Sequence, residues 1–142
     1  MLNAMLLEIE QRANYLESKN IETIYFGGGT PTAVETEFIS KILQKIHQLF
    51  CVSADAEITI EANPDDIDEA KILEYKQMGI NRLSIGIQSF DDQILKYLNR
   101  VHNAQKAIDS IRKAQKIGFE NISIEFCICK NKKYYIYPLY SI

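Results

Sequence analysis

Hydrophobic and polar residues follow two periods along this chain, one typical of helices and the other of strands. Apolar residues recur at helical spacing from the start, at Leu2, Met5, Leu6, Ile9, Ala13 and Leu16. Short runs rich in β-branched residues separate this segment from further segments of helical period. The predicted elements, in chain order, are helix 1–18, strand 21–26, helix 38–50, strand 57–62, a helix capped by Asp65 or Asp66 and stopped by Gly79, strand 82–90, helix 91–99, helix 103–118 and strand 121–128.

Strand and helix therefore alternate four times, and each connection is long enough to return the chain for parallel pairing. This order predicts an α/β fold with about four parallel strands and flanking helices. Both an open doubly wound sheet and an arc of a β/α barrel agree with it. We expect this unit to span residues 1–128.

The last segment, residues 129–142, differs from the rest and is expected to be an irregular tail. It contains four of the eight tyrosines and shows neither period. Its abundant Lys, Asn, Ile and Tyr residues have A/T-rich codons, so out-of-frame translation is one hypothesis for its origin. Reading the neighbouring DNA in the other two frames tests this hypothesis.

Composition narrows the class of protein. The chain has 142 residues, 46% of them hydrophobic and 25% charged, which is typical of one soluble globular domain. A formal net charge of −3 excludes a strongly basic nucleic-acid binder. No apolar run approaches the roughly 20 residues that span a bilayer, and acidic residues interrupt the first helix, which excludes a signal or transit peptide. A cytoplasmic location is expected.

The three cysteines indicate neither a disulfide framework nor a metal site. Cys51 is expected to be a small buried apolar residue in a reduced compartment. Cys127 and Cys129 alternate within an extended run and lack the C-x-x-C spacing of zinc and redox sites. We therefore expect no metal ligands among them.

The stretch YFGGGTPT, residues 25–32, places three glycines directly after the first predicted strand. Glycines allow positive φ and let a ligand approach the backbone where no Cβ stands in the way. The stretch is not a phosphate-binding P-loop, because no Gly-Lys-Ser/Thr follows, and Thr32 stands where a dinucleotide fingerprint requires glycine. A tight turn without a ligand is the alternative.

Polar residues also follow the other three strands. Glu61 ends the second strand, Gln88 lies near the end of the third, and Glu125 lies near the end of the fourth. Arg100 and His102 follow the short helix after the third strand. Ligands of β/α proteins bind at the carboxyl ends of the strands, so the glycines, the two carboxylates, the amide and the arginine are expected to line one site. Solvated or core positions are the alternatives for each residue taken alone.

Five stretches in this order, IYFGGGTPT, ITIEANP, GINRLSIGIQSF, LNRVH and ISIEF, resemble the radical S-adenosylmethionine family. The branch it resembles contains oxygen-independent coproporphyrinogen III oxidase and its heme-chaperone-like relatives. The resemblance covers roughly residues 1–126 and implies a partial β/α barrel that binds S-adenosylmethionine across its strand ends. It assigns seven residues to the cofactor pocket: Gly28, Gly29, Thr30, Glu61, Gln88, Arg100 and Glu125. The first three would meet the methionyl amino group, and Glu61 the ribose hydroxyls.

Two departures from the family limit what the resemblance implies. The family holds a four-iron, four-sulfur cluster with a C-x-x-x-C-x-x-C loop, and no such run occurs in this sequence. The family also usually has aspartate where Glu125 stands, and a Gly-Pro turn where residues 129–132 stand. The chain is therefore expected to lack the cluster ligands, to contain no catalytic residue, and to be inactive as it stands.

The resemblance implies a protein of porphyrin and heme metabolism, with porphyrin or heme as the partner of the parent protein. The main interpretation is an inactive relative of coproporphyrinogen III oxidase. Alternatives are a heme-chaperone-like protein or a plain S-adenosylmethionine-binding module without catalysis. Exposed sheet edges of a partial barrel predict self-association as a further, purely structural behaviour.

Overall fold

The computed structural model describes residues 2–130 and 133–141, and the side chains of residues 3–127. Five helices and five strands alternate through most of this length. The helices are α1 (Leu2–Gln11), α2 (Thr36–Leu49), α3 (Glu69–Gln77), α4 (Asp92–Tyr97) and α5 (Ala104–Ile117). The strands are β1 (Asn20–Phe26), β2 (Cys51–Ala62), β3 (Arg82–Gln88), β4 (Asn121–Lys130) and β5 (Lys133–Ser141). Short 3₁₀ turns at Pro31–Ala33 and Pro64–Asp66 follow β1 and β2.

The five strands form one sheet whose strand order is the same as their order along the chain. The first four strands pair in parallel, so the helices between them act as crossovers. This confirms the predicted α/β class with four parallel strands. Because the strands run in the same direction, their carboxyl ends lie along one edge of the sheet.

The hydrophobic core lies between the sheet and the helices. Ile60, Leu83 and Ile85 of the central strands are fully buried, and Ile72 and Tyr75 of α3 pack into the same cluster. Burying one such aliphatic side chain contributes roughly 1.5–3 kcal/mol relative to leaving it exposed. This burial fixes the positions of the central strands, and therefore also the positions of the polar groups at their ends.

The helix ends differ in part from the prediction. The helix predicted over 1–18 ends at Gln11. The cap of α3 is Asp68, whose side chain accepts a hydrogen bond from the Lys71 amide at 2.8 Å. Neither Asp65 nor Asp66 caps it, because both belong to the 3₁₀ turn that begins at Pro64.

The final segment also differs from the expected irregular tail. The backbone of β4 continues to Lys130, and β5 pairs with it in the antiparallel direction. Tyrosine and isoleucine have high β-propensity, which agrees with a strand despite the lack of a clear period. Residues 131, 132 and 142 lie outside the described residues, and out-of-frame translation stays a hypothesis.

Cys51 corrects another expectation, because its thiol is exposed rather than buried. It is the first residue of β2, and the buried part of that strand begins only at Ala56, so Cys51 does not reach the core. In the described part of the chain, no helix is both long and apolar enough to cross a bilayer.

Candidate functional site

The two faces of β3 have opposite character. Leu83, Ile85 and Ile87 are fully buried, and they alternate with Ser84, Gly86 and Gln88. Successive side chains of a strand point to opposite faces of the sheet. One face therefore meets the apolar core, and the other presents small and polar groups.

A cavity of about 80 Å³ opens over these polar groups, which is room for a few water molecules. Residues from all four parallel strand ends and from the loop after α4 line it. They are Gly29, Thr30, Glu61, Ala62, Asn63, Ser84, Gly86, Gln88, Arg100 and Glu125. The structure thus brings together six of the seven predicted site residues. The seventh, Gly28, contacts the wall through its amide, which donates to Glu61 Oε2 at 3.0 Å.

The three glycines after β1 meet two different requirements. Gly28 and Gly29 have φ values of 86° and 62°, in the left-handed region that L-residues rarely adopt. A Cβ on either would meet no heavy atom within 4 Å. A Cβ on Gly27 would instead lie 2.5 Å from Tyr25 Cε1 and 3.0 Å from Glu61 Oε1. The first glycine makes room for side chains, and the other two make the turn.

Glu61 is held at both carboxylate oxygens. Tyr25 Oη donates to Oε1 at 2.7 Å, while the Gly28 amide donates to Oε2. Partial burial of the phenol, then this hydrogen bond and the carboxylate charge, raises the pKa of Tyr25 to about 12. Tyr25 is not among the site residues predicted from the sequence. The signal that could have found it is the strand register, in which Tyr25 pairs with Thr59, two residues before Glu61 on the same face.

Gln88 ends β3 in an unusual conformation. Its φ is 68°, and only 5% of the residue is exposed. No side-chain hydrogen bond joins it to another residue of the described part of the chain. The amide lines the cavity, where a bound molecule can supply its partners, and backbone strain of this kind concentrates at functional sites. A Cβ at Gly86 would lie 3.1 Å from Gln88 Nε2, so glycine there leaves space for the amide.

Glu125 and Arg100 bring opposite charges to the cavity. Ser84 Oγ donates to Glu125 Oε1 at 2.9 Å, which fixes the carboxylate on the cavity wall. Arg100 follows Asn99, whose φ of 54° turns the chain after α4. The Arg100 amide donates to the Leu95 carbonyl at 2.9 Å and anchors that turn.

These groups suit a ligand that carries both charges. The Arg100 guanidinium can bind a carboxylate, and the carboxylates of Glu61 and Glu125 can accept from hydroxyl or ammonium groups. No group of three or more potential metal-ligating side chains occurs within residues 3–127. The site is thus equipped to bind a polar, zwitterionic molecule.

Comparison with known proteins shows the family of the chain. The Radical SAM superfamily matches residues 5–131. The chain is 38% identical over 125 residues to the heme chaperone HemW of Bacillus subtilis, covering 87% of this chain and 33% of that protein. It is 32% identical over 121 residues to HemW of Escherichia coli, covering 85% of this chain and 32% of the relative.

Solved structures show the same fold. Coproporphyrinogen III oxidase (HemN) from Escherichia coli, a radical SAM enzyme, superposes with a TM-score of 0.79 at 32% identity, covering 87% of this chain and 28% of that one. The cobalamin-dependent radical enzyme OxsB matches with a TM-score of 0.57 at 17% identity, which shows the fold alone. The chain spans about a third of the length of the HemW relatives it matches. By its sequence match and its fold, the chain belongs to the Radical SAM superfamily.

Proposed function

We propose that this chain forms the S-adenosylmethionine-binding part of a radical SAM protein of heme or porphyrin metabolism. The observation that supports it best is that one cavity at the strand ends is lined by Gly29, Thr30, Glu61, Gln88, Arg100 and Glu125. In this proposal Arg100 binds the methionyl carboxylate. The glycine turn receives the methionyl amino group, and Glu61 accepts hydrogen bonds from the ribose hydroxyls.

Two features of the cavity fit this cofactor. Gln88 lines the cavity, and its side-chain amide has no hydrogen-bond partner among the described residues, so a ligand can supply one. The open space beside Gly28 and Gly29 lets a ligand reach the backbone directly. Together these groups bind and orient a zwitterion, which is the role we assign to this part of the protein.

The family's iron–sulfur cluster supplies the electron that cleaves S-adenosylmethionine. The three cysteines of this chain lack the spacing for it, because Cys51 lies at the start of β2, Cys127 and Cys129 both lie on β4, and the sequence has no C-x-x-x-C-x-x-C run. We therefore propose that the 142-residue chain binds the cofactor without reducing it. Anaerobic iron–sulfide reconstitution followed by EPR tests this, and a stable cluster with turnover would contradict it.

Isothermal titration calorimetry with S-adenosylmethionine tests the binding step. Arg100→Ala should weaken binding at least tenfold, because the guanidinium is the one positive group we assign to the methionyl carboxylate. Arg112→Ala is the matched control, because Arg112 lies on α5 with 71% of its side chain exposed and pairs with Asp109. Equal affinities for the two variants, or none in the unmodified chain, would refute the assignment.

A heme chaperone is the second candidate, favoured by the HemW names of the similar curated relatives. Hemin titration followed at the Soret band distinguishes it from the oxidase. Saturable hemin binding that coproporphyrin III does not displace favours the chaperone, whereas displacement favours the oxidase. A cytoplasmic location belongs to either proposal.

A further inference from the structure

We propose that His102 is a positioning residue that joins two walls of the cavity, an inference that rests on the function proposed above. His102 lies in the loop between α4 and α5, two residues after Arg100. Its side chain is fully buried. It does not line the cavity and is not among the residues that the family resemblance assigns to the cofactor.

One side of the imidazole ring holds the end of β3. His102 Nε2 lies 2.9 Å from the Ile87 carbonyl oxygen, so Nε2 carries the proton and donates. The same carbonyl accepts from the Ser89 amide at 2.9 Å. Both bonds are accepted by the carbonyl of the residue before Gln88, which has positive φ. The imidazole therefore fixes the turn at Gln88 and, with it, the direction of the Gln88 amide.

The other side of the ring meets the turn after β2. His102 Nδ1 lies 3.5 Å from Asp65 Oδ2, and this buried nitrogen forms no hydrogen bond within the described residues. Lys106 Nζ lies 2.6 Å from Asp65 Oδ1 and balances the carboxylate charge. The imidazole thus lies between the carboxyl ends of β2 and β3.

This arrangement explains how Arg100 reaches the site from a loop. The loop that carries Arg100 is joined to the sheet at neither end. The buried ring of His102, two residues after Arg100, nevertheless ties this loop to the Ile87 carbonyl. Without that tie, the Arg100 guanidinium and the Gln88 amide would lose their common anchor. We infer that His102 sets the distance between the two groups.

Two substitutions separate the two sides of the ring. His102→Gln places an amide N–H as many bonds from Cα as Nε2, so it retains the donor to Ile87. His102→Asn places its amide at the position of Nδ1 and loses that donor. Both remove the ring and are expected to lower the melting temperature by similar amounts.

The first readout is amide hydrogen exchange of segments 86–90 and 98–102 in the full chain, measured by mass spectrometry without ligand. We expect His102→Asn to exchange at least tenfold faster there than His102→Gln. Ile42→Ala, a buried change in α2, is the control for general destabilisation. Equal exchange in the two histidine variants, or a change that merely follows the melting temperature, would overturn the proposal.

The second readout is the affinity for S-adenosylmethionine by calorimetry. His102→Gln should bind within about threefold of the unmodified chain, and His102→Asn should bind at least tenfold more weakly. If the unmodified chain binds no S-adenosylmethionine, the proposed function fails, while the exchange experiment still decides the role of His102. If both variants bind equally, the positioning role is wrong even though the cofactor assignment holds.

Discussion

Replacing each of the three glycines after β1 by alanine should expose two different physical costs. At Gly28 and Gly29 the cost lies in the backbone, because alanine disfavours their positive φ. A left-handed conformation costs an L-residue roughly 1–2 kcal/mol. Since the new methyl group would meet no atom within 4 Å, this backbone term is the whole expected loss.

At Gly27 the cost lies in a contact instead. The new Cβ would stand 2.5 Å from Tyr25 Cε1, so the ring must move and give up its hydrogen bond to Glu61. Tyr25 is 56% exposed and can turn outward. A hydrogen bond to a charged acceptor, discounted for this exposure, is worth about 1 kcal/mol.

Urea denaturation of single and double variants separates the two costs. Gly27→Ala should couple to Tyr25→Ala by about 0.5–1 kcal/mol, whereas Gly29→Ala should add to it within about 0.5 kcal/mol. Gly79→Ala is the control away from the cavity. It has φ of 92° and equal room for a Cβ. It should lose similar stability and leave S-adenosylmethionine binding unchanged.

The refuting result is a gain in stability. Alanine in place of glycine at an unstrained position stabilises by about 0.4–1 kcal/mol, through the unfolded chain. If Gly29→Ala gave such a gain, the turn would not be left-handed. An additive Gly27→Ala and Tyr25→Ala pair would equally contradict the contact described for Gly27.

Three further outcomes are expected. Glu61→Gln should lower the pKa of Tyr25 from about 12 toward 10, which NMR of ¹³C-labelled tyrosine can follow. Because the pKa of Tyr25 is higher in the folded protein than in the unfolded chain, the contribution of Tyr25 to stability is present below pH 10 and is lost as the pH rises through 12. Asn81→Ala should cost about 2 kcal/mol in urea denaturation, because the side chain makes two 2.8 Å hydrogen bonds to the backbone of β2. Asn81→Asp should cost at least as much, because it keeps the acceptor for the Ile58 amide but sets a carboxylate oxygen against the Ala56 carbonyl oxygen. Iodoacetamide should label the exposed Cys51 faster than the half-buried Cys127 in peptide mapping, and equal rates would contradict the exposure described.

Much of the fold follows from local pattern. Each parallel strand is a β-branched run closed by a glycine, proline or polar residue, and chain direction alone then gathers the strand ends at one edge. For this reason Glu61, Gln88 and Glu125 could be placed together before any coordinates. The stop at Gly79 was likewise predictable, and its φ of 92° confirms it.

The features that the sequence did not reveal depend on packing between distant segments. Cys51 looks apolar by type, but its exposure depends on where β2 begins relative to the helices. The bond from Tyr25 to Glu61 joins residues 36 apart and requires the register of β1 with β2. The positive φ of Gln88 has no local signal, because glutamine does not favour it, and tertiary contacts impose it.

The agreement of strand order with chain order also bears on how the molecule is made. Every ladder joins a strand to the one synthesised immediately before it, so no strand must wait for a distant partner to leave the ribosome. Because each new strand pairs with the strand before it, each pairing step closes only the connection between the two, and the entropic cost of each step stays small and similar. Assembly can therefore proceed by winding one strand–helix unit at a time onto the last, and truncated nascent chains should gain protease resistance in steps rather than all at once.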